Sequence, residues 1–84
     1  MNRRRFLRRL ASGAFQNVRF DDAVDLLIGL GFEAVRVSGS HHIYARGDVP
    51  ELINLQNVRG EAKPYQLRQL MRLVERYNLI LEAD

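Results

Sequence analysis

The spacing of apolar residues changes period twice along this chain, and that double switch constrains the fold more than any other feature. Phe20, Ala23, Val24, Leu27 and Ile28 recur at i, i+3, i+4, i+7 and i+8, the pattern of a helix buried along one stripe. Asp21, Asp22 and Asp25 stand in its first turns, where the helix dipole favours acids, and Gly31 suits a left-handed stop. Helical spacing then gives way to three short runs, residues 32–37, 41–46 and 52–57, separated by Gly39, by Gly47-Asp48 and by the Asp48-Val49-Pro50 stretch. Short connections with glycine between strand-like runs predict an antiparallel meander. Helical spacing returns over residues 64–77, where Leu67, Leu70, Met71 and Val74 form a stripe and Pro64 takes the first turn.

The order helix–strand–strand–strand–helix leaves one economical layering. It is an α+β domain, α-β-β-β-α, with the helices on one face of a three-stranded antiparallel sheet. A single core has to suffice, because 84 residues bury only about 60% of the surface the unfolded chain exposes and no cysteine is present to staple them. Ahead of the domain, Phe6, Leu7 and Leu10 lie on one helical stripe among Arg3, Arg4, Arg5, Arg8 and Arg9. This segment reads as a short basic helix or as a solvated arm. The chain therefore divides into a basic arm or helix at residues 1–16 and a folded domain at residues 17–84. No apolar run approaches membrane-spanning length, and Asn17, Arg19, Asp21 and Asp22 arrive too soon after the arginines for a secretory signal. These features point to a cytoplasmic protein with no membrane partner.

Charge is unevenly distributed. Five of the thirteen basic residues fall in residues 1–9, residues 20–33 hold four acids and no base, and residues 36–76 hold seven bases against four acids. Such a chain can meet nucleic-acid phosphates but is not held to them by bulk charge alone.

Ordinary acid–base chemistry at neutral pH is confined to the adjacent His41 and His42. Two neighbouring histidines with no third Cys or His make a poor metal site, so no metal and no cofactor are expected. On a strand the two would point to opposite faces. His41, Ile43 and Ala45 share one face; His42, Tyr44 and Arg46 share the other. The second face is the more polar, and by the pleat alone it is the one expected to clamp an RNA base and phosphate. RNA cleavage suits a lone histidine, because the 2′-hydroxyl beside the scissile phosphate is a built-in nucleophile and the imidazole need only move its proton. The plain alternative is a polar pair that flanks a turn. A second cluster, residues 59–66, brings Lys63 and Tyr65 to the start of the last helix, where backbone N–H groups favour a phosphate. Arg68, Arg72 and Arg76 repeat every four residues and read as a solvated face.

Leu30-Gly31-Phe32, Val35-Arg36, Gly39-Ser40-His41-His42-Ile43-Tyr44, Asn54-Leu55-Gln56 and the run from Ala62 to Leu70 together resemble the core of HicA-family toxins. The resemblance covers about residues 18–80 and implies a double-stranded-RNA-binding-domain-like fold. It implies a ribosome-independent mRNA interferase, acting on mRNA and neutralised by a HicB-type antitoxin, with no small-molecule ligand. It also puts the catalytic role on His41, with Gly39 and Ser40 as the turn presenting it and His42 as a second contact; Lys63 matches a basic position near the second domain helix. The pleat and the resemblance thus favour different histidines. Two other functions fit the same residues: a non-catalytic RNA-binding module, and a degenerate toxin acting only through its partner. The arginine-rich segment has no counterpart in the shorter members of the family.

Overall fold

In the computed structural model, which describes residues 2–82, the period switches become seven elements. They are α1 (Arg3–Ala11), α2 (Phe20–Gly29), β1 (Glu33–Ser38), β2 (His41–Arg46), β3 (Val49–Val58), β4 (Glu61–Ala62) and α3 (Pro64–Tyr77). The α2 and α3 spans match the expected helices. The strands form one antiparallel sheet in the order β1-β2-β3-β4, so the fold is the α+β, double-stranded-RNA-binding-domain-like arrangement with a fourth strand where three were expected.

The extra strand escapes sequence pattern because Glu61 and Ala62 carry no strand preference. A tight turn makes it. Arg59 and Gly60 both have positive φ, 54° and 85°, the type I′ geometry whose twist suits a two-residue hairpin. Asn57 Oδ1 accepts the Gly60 N–H at 2.7 Å. The segment before α2 then lies alongside, with Ala62 N–H donating to the Val18 carbonyl and Phe20 N–H to that of Gly60.

The expected tip at Asp48-Val49-Pro50 is also corrected. The turn is Gly47-Asp48, Arg46 pairs with Val49, and β3 starts there rather than at Leu52. Pro50 is tolerated because β4 flanks only Asn57 and Val58, which leaves the start of β3 an edge with no partner requiring its N–H.

α2 and α3 cover one sheet face, and α1 packs against those two helices. Val49, Ile53 and Leu55 of β3 and Tyr44 of β2 are buried against Ala23, Leu26 and Leu27 of α2 and Leu67, Leu70 and Leu73 of α3 in one cluster. The basic segment is a helix in this cluster and not a solvated arm. Phe6 and Leu10 are buried in it, Asn2 caps the helix at the Arg5 N–H, and Arg3 makes a two-pronged ion pair with Asp25 at 2.9 Å. The helices stop short of β1, whose six residues are all exposed.

Candidate functional site

A two-residue turn brings the histidines to the end of the sheet. Ser38 pairs with His41 across Gly39-Ser40. Gly39 has φ +60°, while Ser40 has no positive φ, the type II′ pattern that calls for glycine at the first central position. His41 is therefore the first residue of β2, flanked by Ser38 and by Gln56 of β3.

Directly paired residues share a face, so the register assigns each side chain. Arg36 and Ser38 of β1, His41 and Ile43 of β2, and Gln56 and Asn54 of β3 line the side away from the helices. His41 is exposed there. Its Nδ1 lies 3.3 Å from Asn54 Nδ2. Asn54 Oδ1 is closed to solvent and has no hydrogen-bond partner among the described residues, a situation that costs about 1–3 kcal/mol when it is not relieved.

His42 points the other way. Its ring packs on that of Phe20, the first residue of α2, with centroids 4.7 Å apart and planes tilted by 57°. Tyr44 follows on the same side and is only 4% exposed, and burial pushes its hydroxyl above the usual phenol range. The face that looked polar in sequence is thus the covered one, and Tyr44 has no open surface to offer a base. Arg46, the third member of that face, donates to the Leu30 carbonyl at 2.6 Å and pairs with Asp48 at 2.7 Å. An aromatic ring and a long aliphatic stem carry little charge into the core, and their polar ends find partners at its rim.

The start of α3 comes to the same end as His41. Gln66 is 1% exposed, and its Oε1 accepts the N–H of Gln56, the cross-strand neighbour of His41, at 2.7 Å. The Ser40 carbonyl accepts the Asn57 N–H at 3.0 Å, and Asn57 pairs with Ala62 immediately before Lys63. Lys63 is the N-cap of α3, with Nζ 5.8 Å from the centroid of the half-exposed Tyr65 ring. Gly39, Ser40, His41, Lys63 and Tyr65 therefore gather at one end of the molecule, whereas His42 lies on the helix side and Tyr44 lies within the core.

The model of the family described as the HicA toxin of bacterial toxin–antitoxin pairs matches residues 20–75, two-thirds of the chain. The chain belongs to the HicA toxin family. No curated protein and no solved structure matches it. Family membership makes this a toxin of a toxin–antitoxin pair, with a cognate antitoxin as partner. The match begins at the first residue of α2, so α1 lies outside the HicA pattern although it packs into the same core.

Two residues beside His41, Asn54 and Gln66, were given no role of their own by sequence reading. Asn54 was findable: Asn54 and Gln56 alternate with Ile53 and Leu55, which marks them as open-face residues. Nothing in sequence marks a glutamine beside Leu67 as buried. Two arginines of the α3 row are engaged away from His41. Arg76 pairs with Glu51 at 2.8 Å, Tyr77 donates to the same carboxylate at 2.6 Å and holds it below the usual range, and the Arg68 guanidinium sits 5.3 Å from the Phe15 ring centroid. Among the described residues no group of three or more His, Cys, Asp and Glu could hold a metal ion, and no helix is long and apolar enough to cross a membrane.

Proposed function

We propose that this HicA-family chain is a ribosome-independent endoribonuclease that cleaves mRNA with His41 as its acid–base group. One observation carries the proposal: of the two histidines, His41 alone stands on the open sheet face, while the His42 ring is stacked on Phe20.

The chemistry asks little of the protein. His41 takes the proton of a ribose 2′-hydroxyl, and the 2′-oxygen bonds to the adjacent phosphorus. The bond from phosphorus to the 5′-oxygen breaks, and that oxygen leaves with a proton returned by the imidazolium. The products are a 2′,3′-cyclic phosphate end and a 5′-hydroxyl end. A positioned general base supplies about 10²–10⁴-fold in rate, and the sequence of steps calls on no metal. Lys63, Tyr65 and the start of α3 border the same end and suit the flanking phosphate and base, and Arg36 adds a cation on the His41 face. Gly39 and Ser40 set the height at which the imidazole stands. His42 supports the site through Phe20. A HicB-type antitoxin that covers this face would silence the enzyme by excluding RNA, and the work would be done in the cytoplasm.

The test is cleavage of RNA by purified, antitoxin-free protein in EDTA, for the wild type, His41→Ala and His42→Ala. The expected result is cutting by the wild type, cyclic phosphate ends, and a folded but inactive His41→Ala. Loss confined to His42→Ala moves the site one residue along. RNA that is bound but left intact by all three makes the chain a binding module.

A further inference from the structure

We infer that Asn54 is a positioning residue for His41, holding the imidazole with its proton on Nδ1 and leaving Nε2 as the atom that accepts the substrate proton. The inference rests on the reading of His41 as the acid–base group and adds what selects its tautomer.

Three observations converge. Asn54 sits opposite Ile43 on β3, one pleat along from the pair His41–Gln56, so its side chain is the diagonal neighbour of His41 on the open face. Its amide lies 3.3 Å from the His41 Nδ1. Its Oδ1 is shut off from solvent with no donor among the described residues.

The amide nitrogen and oxygen exchange places by a half-turn about the last side-chain torsion. With Nδ2 towards the ring, Nδ1 must be the acceptor, the proton rests on Nε2, and the carbonyl oxygen stays orphaned. After the half-turn Oδ1 faces the ring and accepts an N–H from Nδ1. The carbonyl oxygen then has its donor and the NH2 group takes the closed position, the proton is fixed on Nδ1, and the lone pair on Nε2 is free. Only this second arrangement also suits the imidazolium that forms once the proton has been taken, because both ring nitrogens then donate. A ring held by one nitrogen presents the other in a fixed direction, as a base needs.

The experiment uses the full chain with ¹⁵N-labelled histidine. Long-range ¹H–¹⁵N spectra in mildly alkaline solution read which ring nitrogen of His41 carries the proton, and RNA cleavage is measured in parallel. The wild type is expected to hold the proton on Nδ1. Asn54→Leu is expected to lose that preference and to cleave about 10- to 100-fold more slowly, mainly in kcat. Asn54→Asp, close to isosteric, is expected to keep the proton on Nδ1 and to move the rising limb of the pH–rate profile to higher pH, since a carboxylate stabilises the imidazolium. A wild-type His41 protonated on Nε2 would overturn the inference, and so would Asn54→Asp with an unmoved pH–rate profile. Should His41→Ala cleave as well as the wild type, the ribonuclease reading of His41 falls. The tautomer spectrum would still report separately on whether Asn54 orients the ring.

Discussion

The side chain of Gln66 ties the first turn of α3 to the strand end beside His41, and replacing it by methionine isolates that tie. Methionine keeps the length and the burial but accepts no comparable hydrogen bond. The 3.4 Å contact from Nε2 to the Tyr65 hydroxyl is long and contributes little. What is lost is the 2.7 Å bond from the Gln56 N–H to Oε1. An N–H left without its acceptor costs about 1–3 kcal/mol, and because Gln56 is only half-buried, water relieves part of that, leaving about 1–2 kcal/mol. For a domain of this size each kcal/mol lowers Tm by about 4–8 °C, so a fall of about 4–16 °C is expected. The same free energy speeds exchange of the Gln56 amide hydrogen by about 5- to 30-fold. Thermal unfolding followed by circular dichroism gives the first quantity and amide exchange by NMR the second. Exchange at Gln56 is the sharper readout, because a gain from burying an apolar side chain raises Tm without protecting that amide. If Gln66→Met leaves the Gln56 amide as slow as in the wild type, the tie does not exist in solution.

Three further outcomes follow from the packing and the charges. Phe6→Ala, which empties a buried ring from the α1 contact, should cost about 3 kcal/mol in denaturant unfolding, with tryptic cleavage appearing first among Arg3, Arg4 and Arg5. The Arg3 hydrogen bonds hold the Asp25 carboxyl below its ordinary value. A folded-state pKa depressed in this way stabilises above the unfolded value of about 3.9 and ceases to do so as pH falls through the folded value. Wild type should accordingly be more stable than Asp25→Asn at neutral pH, by a small margin since the carboxylate is 43% exposed, and their Tm curves should converge below about pH 4. Lys63→Ala should weaken RNA binding uniformly across sequences and reduce the slope of log K against log salt by about 1, measured by fluorescence anisotropy.

Local chemistry written in the sequence determined a good deal here. The helices at residues 20–29 and 64–77 are legible because their apolar residues keep a helical period, the first stopping at Gly31 and the second opening on Pro64, and the meander is legible from its glycine turns. The Gly-Ser-His-His segment and the family it resembles were legible as well, and the family match agrees. What strand alternation could not supply is which face is covered. It divides His41 from His42, yet on β2 alone the Tyr44 side looked the more polar and therefore the more open. Pairing with β3 decides otherwise: Tyr44 lies opposite Ile53 and His42 opposite Leu55, and both partners are buried under the helices. The fourth strand escaped because its two residues carry no strand preference and only the local turn at Arg59-Gly60 makes it. The burial of Gln66 and the docking of α1 came only from tertiary structure, each through a partner on another element: Gln56 for Gln66, Asp25 for Arg3. A residue's period and its turn are properties of its neighbours along the chain, whereas its burial and its hydrogen-bond partners belong to whatever the rest of the chain lays against it.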